Sequence, residues 1–206
     1  LPLDERKKIA LFCNLKVDNV ITAADLPSIY QAPLRYHAEG LDTQILQHFG
    51  MEEESRKPDL NIWQGIADRF ENPKAEVNIA IVGKYTGTGD AYKSLAEALD
   101  HAGITHHARV HIHWLDAKGF EKGNLEKTFA GMDAILVPGG FGQRGVAGKM
   151  SAVTYARENN IPYFGICFGM QIAVIELARN LAAMKDAGSS EFDPDSTHGE
   201  EGPLVG

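Results

Sequence analysis

Cys167 stands between Gly165 and Gly169, where an apolar run ending at Ile166 gives way to a helical pattern, and this setting suits a nucleophilic thiol. Ile172, Ile175 and Ala178 or Arg179 recur at helical spacing behind it. A strand that turns sharply into a helix between small residues pushes the middle side chain out at the carboxyl edge of a sheet. The thiol then faces the positive end of a helix dipole. Backbone N–H groups and that dipole favour thiolate over thiol. Residue type alone leaves a second reading open, because free cysteine is among the most buried side chains and an inert core position looks the same in sequence. The two-glycine frame favours the nucleophile.

A second strand, Asp133 to Val137, runs straight into Pro138-Gly139-Gly140-Phe141-Gly142-Gln143-Arg144-Gly145. Glycines lacking a Cβ let backbone amides point at a ligand. Acyl transfer needs at least two amides converging on a developing oxyanion, and the amides of Gly140 and Phe168 are the candidates. A glycine-rich loop alone is usually a plain connection. Two such loops after two strands support each other.

The surrounding pattern supplies the frame. Val77–Val82 reads as a strand, followed by a helix from Asp90 to His101 with Tyr92, Leu95, Ala96 and Leu99 on one face and Gly103 as its stop. Val110, Ile112 and Trp114 alternate with His111 and His113 as a strand with one polar face. A helix around Met150–Glu158 links the strands at Ile135 and Phe164. The expected fold is α/β, a doubly wound parallel sheet, whose ligands gather beyond the carboxyl ends of its strands. Residues 1 to about 50 hold a short strand at Ile9–Phe12 and then helical patterns with Thr22 or Ser28 as N-caps. The polar stretch 51–76, with Pro58, Pro73 and the solvated triplet Glu52 to Glu54, carries one amphipathic helix on Ile62, Trp63, Ile66 and Phe70 and reads as a linker.

Composition bounds the rest. The 206 residues carry a net charge of −8, with 44% hydrophobic and 23% charged residues, which fits an ordinary core-forming chain and argues against nonspecific nucleic-acid binding. Cys13 and Cys167 have neither disulfide nor metal spacing and suit a reducing cytoplasm. The histidines 106, 107, 111 and 113 have no acidic or cysteine partners to complete a ligand set and read as surface residues. No apolar stretch approaches the roughly 20 residues that span a bilayer, so a soluble protein without membrane partners is expected. Gly87-Thr88-Gly89 with Lys93-Ser94 lacks the spacing of a phosphate loop.

The Pro138–Gly142 loop, the Gly165-Ile166-Cys167-Phe168-Gly169-Met170-Gln171 elbow and Ser190-Glu191-Phe192 together resemble the class I (triad, flavodoxin-like) glutamine amidotransferase domain of the CTP synthase family. Val82 to Tyr85, Asp90 to Ser94 and Arg157 to Pro162 extend the match, and Lys8 to Asn14 with Leu26 to Tyr30 resemble the end of that family's synthetase (amidoligase) domain. The resemblance implies a fragment: 1–50 from the synthetase domain, a linker over 51–76, and 77–206 as the first part of the amidotransferase domain, its sheet incomplete and preceded by a short piece of a second α/β domain. It implies Cys167 as nucleophile, with Gly140, Phe168, Gly169, Met170, Gln171 and Glu191 holding glutamine and its oxyanion. It makes Lys8 a contact for UTP or inhibitory CTP, and places Ala24, Asp25 and Leu26 near the ATP adenine. The segment around Gly87–Gly89 becomes either a lid over the glutamine pocket or a simple connection. The implied activity is ATP- and Mg²⁺-dependent amination of UTP to CTP by ammonia from L-glutamine, with GTP as allosteric activator, CTP as feedback inhibitor and a homotetrameric enzyme. His198-Gly199-Glu200 imitates the triad's histidine and glutamate but sits in a Gly/Pro/Asp-rich loop too close behind the elbow. The true pair is expected beyond Gly206, and the fragment alone is expected to be inactive. Phe168 stands where leucine is common in the family, a change that leaves a backbone amide in place.

Overall fold

The computed structural model describes residues 1–51, 58–84, 91–120, 124–140 and 142–189, which form two compact units. Glu52 to Glu54, Gly87 to Gly89, Glu191 and His198-Gly199-Glu200 lie outside the described residues.

The first unit comprises Leu1–Lys74 with Ile104–His107. Its α1 (Leu3–Cys13) replaces the strand expected at Ile9–Phe12. A four-residue apolar run does not by itself distinguish strand from helix, and the flanks decide. Asp4 and Glu5 favour the positive end of the helix dipole, Pro2 precedes the first turn, and Asn14 closes the helix in the left-handed conformation with φ 54°. A 3₁₀ turn at Val17–Asn19 follows, and Thr22 precedes no helix. Ser28 caps a second 3₁₀ turn, its hydroxyl accepting the Tyr30 N–H at 3.1 Å. Beyond it come α2 (Ala32–Ala38), α3 (Leu41–His48) and the amphipathic α4 (Asn61–Glu71), whose Phe70 ring lies 5.3 Å from that of Tyr30. This unit contains no strand among its described residues.

The second unit is a four-stranded, wholly parallel sheet built from β1 (Ala75–Gly83), β2 (Ala108–Asp116), β3 (Ala134–Val137) and β4 (Tyr163–Gly165), in the order β2-β1-β3-β4. Ala80, Ile81 and Val82 are fully buried, as a continuous apolar run in a sheet covered on both faces should be. Ala80, Val82, Ile135 and Val137 form one core with Phe129 of α6 (Leu125–Phe129) and with Ala152 and Ala156 of α7 (Val146–Glu158). The crossovers β1 to β2 and β3 to β4 run in opposite directions along the sheet, and with the right hand that parallel crossovers adopt this winds the chain on both faces. The direction reverses between β1 and β3, and the carboxyl ends there form the crevice where such sheets take ligands.

One helix runs further than its sequence suggests. α5 (Lys93–His106) passes through Gly103, the expected stop. A Cβ on Gly103 would meet the Ala108 carbonyl oxygen at 2.5 Å, so the glycine serves close packing of helix on strand, and the left-handed turn comes later at His107, φ 54°. The two polar-face histidines of β2 find partners across the sheet: His111 lies 3.3 Å from Glu76 and His113 3.0 Å from Asn78.

Candidate active site

Cys167 caps the N-terminus of α8 (Phe168–Asn180) and is exposed. Its backbone sits at φ 54°, ψ −113°, a region that costs a non-glycine residue about 1–3 kcal/mol and persists only where the surroundings impose it. The surroundings are glycine. A Cβ on Gly165 would meet backbone atoms of Gly169 and Met170 at 2.6 Å, and one on Gly169 would come within 2.0 Å of the Val137 carbonyl oxygen. The first turn of α8 is thereby pressed against the ends of both β3 and β4. The chain has no room for a gradual turn, and the thiol is left projecting, as a nucleophile elbow requires.

Further contacts lock this arrangement. The Ile166 N–H donates to Val137 O at 3.0 Å, and the Gly169, Met170 and Gln171 amides are turned inward onto Ile166 O and Cys167 O at 3.0 to 3.2 Å. Tyr163 of β4 donates its hydroxyl to Gly169 O at 2.8 Å, and burial pushes its phenol well above the ordinary value. At the back of α8 the fully buried Glu176 accepts from Arg157 (2.9 Å) and Thr154 (3.0 Å) of α7 and from Asn180 (2.8 Å). Burial alone raises this carboxyl, but these hydrogen bonds hold it below its ordinary value.

The glycine loop after β3 lies against the elbow. A side chain on Gly139 would touch the Cys167 Cβ at 3.4 Å, and Gly140 takes φ 138°, open to glycine alone. Beneath it lies Lys149 of α7, only 1% exposed, with its ammonium 3.4 Å from Gly140 O and 5.0 Å from the centre of the Phe168 ring. Burial and the nearby Lys84 lower the Lys149 pKa to about 8, while the electrostatic interaction with Cys167 acts in the opposite sense.

The structure therefore brings Gly140, Cys167, Phe168, Gly169, Met170 and Gln171 to one edge of the sheet, with Met170 exposed and Gln171 half-buried. Lys8, Ala24, Asp25 and Leu26 belong to the first unit: Lys8 is exposed on α1, and the other three lie in the loop between the two 3₁₀ turns. A cavity of about 600 Å³ opens elsewhere, between α6, α7 and Arg179 of α8, and Cys167 does not line it. Sequence reasoning passed over Lys149 and Glu176. Both were marked by periodicity, since Lys149 shares a helical face with Ala152, Val153 and Ala156, and Glu176 shares one with Gly169 and Ile172.

Residues 88–201 match the family model described as glutamine amidotransferase class-I, more than half of the chain. The chain belongs to the class-I glutamine amidotransferase family. Residues 1–51 match the model described as CTP synthase N-terminus. The CTP synthase of Methylobacterium radiotolerans is 57% identical over 192 residues, covering 93% of this chain and 35% of that protein. The CTP synthase of Gluconacetobacter diazotrophicus is 53% identical over 207 residues, covering all of this chain and 37% of that protein. This class-I amidotransferase chain thus spans about a third of the length of these relatives. Among solved structures, the glutaminase domain of Trypanosoma brucei CTPS with bound acivicin superposes with a TM-score of 0.55 at 47% identity, over 60% of this chain and 48% of that one. The resemblance read from the elbow and the glycine loop is borne out, as is the parallel α/β sheet.

Proposed function

We propose that this chain belongs to a glutamine-dependent CTP synthase and bears the nucleophile of its amidotransferase site. The observation that carries the reading is the elbow itself: an exposed cysteine in a strained backbone conformation at a helix N-terminus, with a glycine loop packed against its Cβ. The Cys167 thiolate attacks the side-chain amide carbon of glutamine, and the amides of Gly140 and Phe168 receive the oxyanion. Collapse of the tetrahedral adduct expels ammonia and leaves a glutamyl thioester. Water, activated by a histidine oriented by a carboxylate outside this chain, hydrolyses the thioester to glutamate. Gln171 and Glu191 select the amino acid, Glu191 pairing with its α-ammonium.

In the same proposal the ammonia reaches a synthetase domain that includes residues 1–50 and is joined through 51–76 to the amidotransferase domain from 77 onward. There ATP phosphorylates the uracil 4-oxygen of UTP, and ammonia displaces the phosphate to yield CTP, with ADP and phosphate as by-products. Lys8 contacts UTP or inhibitory CTP, the Ala24–Leu26 backbone lies near adenine, and GTP activates. Among the described residues no three His, Cys, Asp or Glu gather to hold a metal ion, so the Mg²⁺ that accompanies ATP would be held mainly by residues outside them. The proposed enzyme is a cytoplasmic homotetramer; no helix among the described residues is long and apolar enough to cross a membrane.

The test is CTP formation from UTP and ATP by the protein expressed from its whole gene, with glutamine or with ammonia. Cys167→Ala is expected to abolish the glutamine-dependent rate and spare the ammonia-dependent one. Absence of CTP with either nitrogen source would overturn the synthetase reading.

A further inference from the structure

Lys149 is the one lysine among the described residues that is fully buried, and no carboxylate among those residues pairs with it. A buried ammonium with no paired carboxylate among the described residues is costly to keep, so its surroundings are informative. It touches the two segments that bear the proposed oxyanion donors. Its Nζ lies 3.4 Å from the carbonyl oxygen of Gly140 and 5.0 Å from the ring centre of Phe168, on opposite sides of the seam between glycine loop and elbow.

Taking the proposed amidotransferase chemistry as given, we propose that Lys149 is a positioning residue for the oxyanion hole: its ammonium holds the Gly140 carbonyl and the Phe168 ring together, so that the two backbone amides converge beside Cys167. The need follows from glycine chemistry. Gly139 and Gly140 have no Cβ to restrict them, and Gly140 already occupies φ 138°. A loop of this kind has many conformers of similar energy. Rotating the peptide after Gly140 removes the acceptor from Lys149 and leaves the buried cation without its carbonyl, which raises the energy of the conformers that turn this carbonyl away. The same cation, electrostatically coupled to Cys167, also favours negative charge arising at the seam.

The experiment compares wild type, Lys149→Met and Lys149→Arg in the protein expressed from its whole gene. The methionine side chain is apolar and of similar length, so the core remains filled, and ammonia-dependent CTP formation and the melting temperature report the fold. Removing one oxyanion donor outright costs about 10²–10³ in kcat, so loosening the loop is expected to lower kcat for glutamine hydrolysis at least ~10-fold in Lys149→Met. KM for glutamine and the plateau rate of Cys167 alkylation by iodoacetamide, which forms no oxyanion, are expected to stay within ~2-fold. Lys149→Arg, which keeps charge and donors, restores most of kcat. An unchanged kcat in Lys149→Met, or a fall in the alkylation plateau equal to the fall in kcat, overturns the inference and leaves the amidotransferase reading intact. Absence of Cys167-dependent glutamine hydrolysis in wild type overturns that reading and takes this inference with it.

Discussion

Lys149→Met should stabilise the protein while it damages turnover, and the size of the gain can be worked from the buried ammonium. Burial first, and then repulsion from Lys84, take the Lys149 pKa from its ordinary 10.5 to about 8, with the electrostatic interaction with Cys167 opposing them. A gap of that size is about 3 kcal/mol held against the charged form in the folded state. The contacts with Gly140 O and the Phe168 ring favour the ammonium and lie outside the causes of that shift, so about 3 kcal/mol is the upper end of the penalty. Below a pH of about 8 the lysine is protonated in both states, and the folded protein bears the full penalty. Between about 8 and 10.5 the folded protein loses the proton first, the unfolded chain binds more protons, and stability rises with pH. Above that window the penalty is gone. Lys149→Met removes the charge at every pH, so it should exceed wild type by up to about 3 kcal/mol near neutrality and approach it near pH ~10.5. Urea unfolding at several pH values measures this difference directly. A variant less stable than wild type at neutral pH, or a difference that does not shrink as pH rises, refutes the reasoning. A stabilised variant with a crippled kcat is the pattern expected where a site is maintained at the expense of stability.

Two other perturbations test the frame. Gly169→Ala places a Cβ 2.0 Å from the Val137 carbonyl oxygen, and because both are backbone the strain cannot be relieved by a rotamer; a loss of about 3 kcal/mol or more in urea unfolding is expected. A variant as stable as wild type would mean that α8 is not pressed against β3. Glu176→Gln removes a buried carboxylate whose pKa is held down by hydrogen bonds from Arg157, Thr154 and Asn180 against the opposing effect of burial. A carboxyl depressed on folding contributes stability that is fully present above its unfolded value and is lost as pH falls through the folded one. Melting temperatures from neutral to acid pH should therefore fall more steeply for wild type than for the glutamine variant, and parallel curves would count against the ion-paired network.

The elbow and the glycine loop were legible because their chemistry depends on residue types at short spacing. Gly165, Cys167 and Gly169 announce a sharp turn, and the apolar runs at Val77 to Val82 and Asp133 to Val137 announce buried parallel strands. Misreadings came where a local pattern serves two purposes. Ile9 to Phe12 is apolar enough for a strand, yet Asp4, Glu5 and Asn14 make it a helix. Gly103 has the type of a helix stop, yet its role is to let α5 approach Ala108, a contact visible only when strand and helix are folded together.

By itself, then, the sequence determined the elbow, the glycine loop, the parallel sheet and the family, because each is written in short-range composition and alternation. Only the tertiary structure decided that Cys167 is strained and exposed, that Gly139 lies on its Cβ, and that a lysine and a glutamate from α7 and α8 are buried behind it. The physical reason is that burial and pKa are properties of surroundings. Lys149 is a solvated cation in any reading of its neighbours along the chain, and it becomes a buried one only when α7 packs beneath the Gly140 peptide and the Phe168 ring.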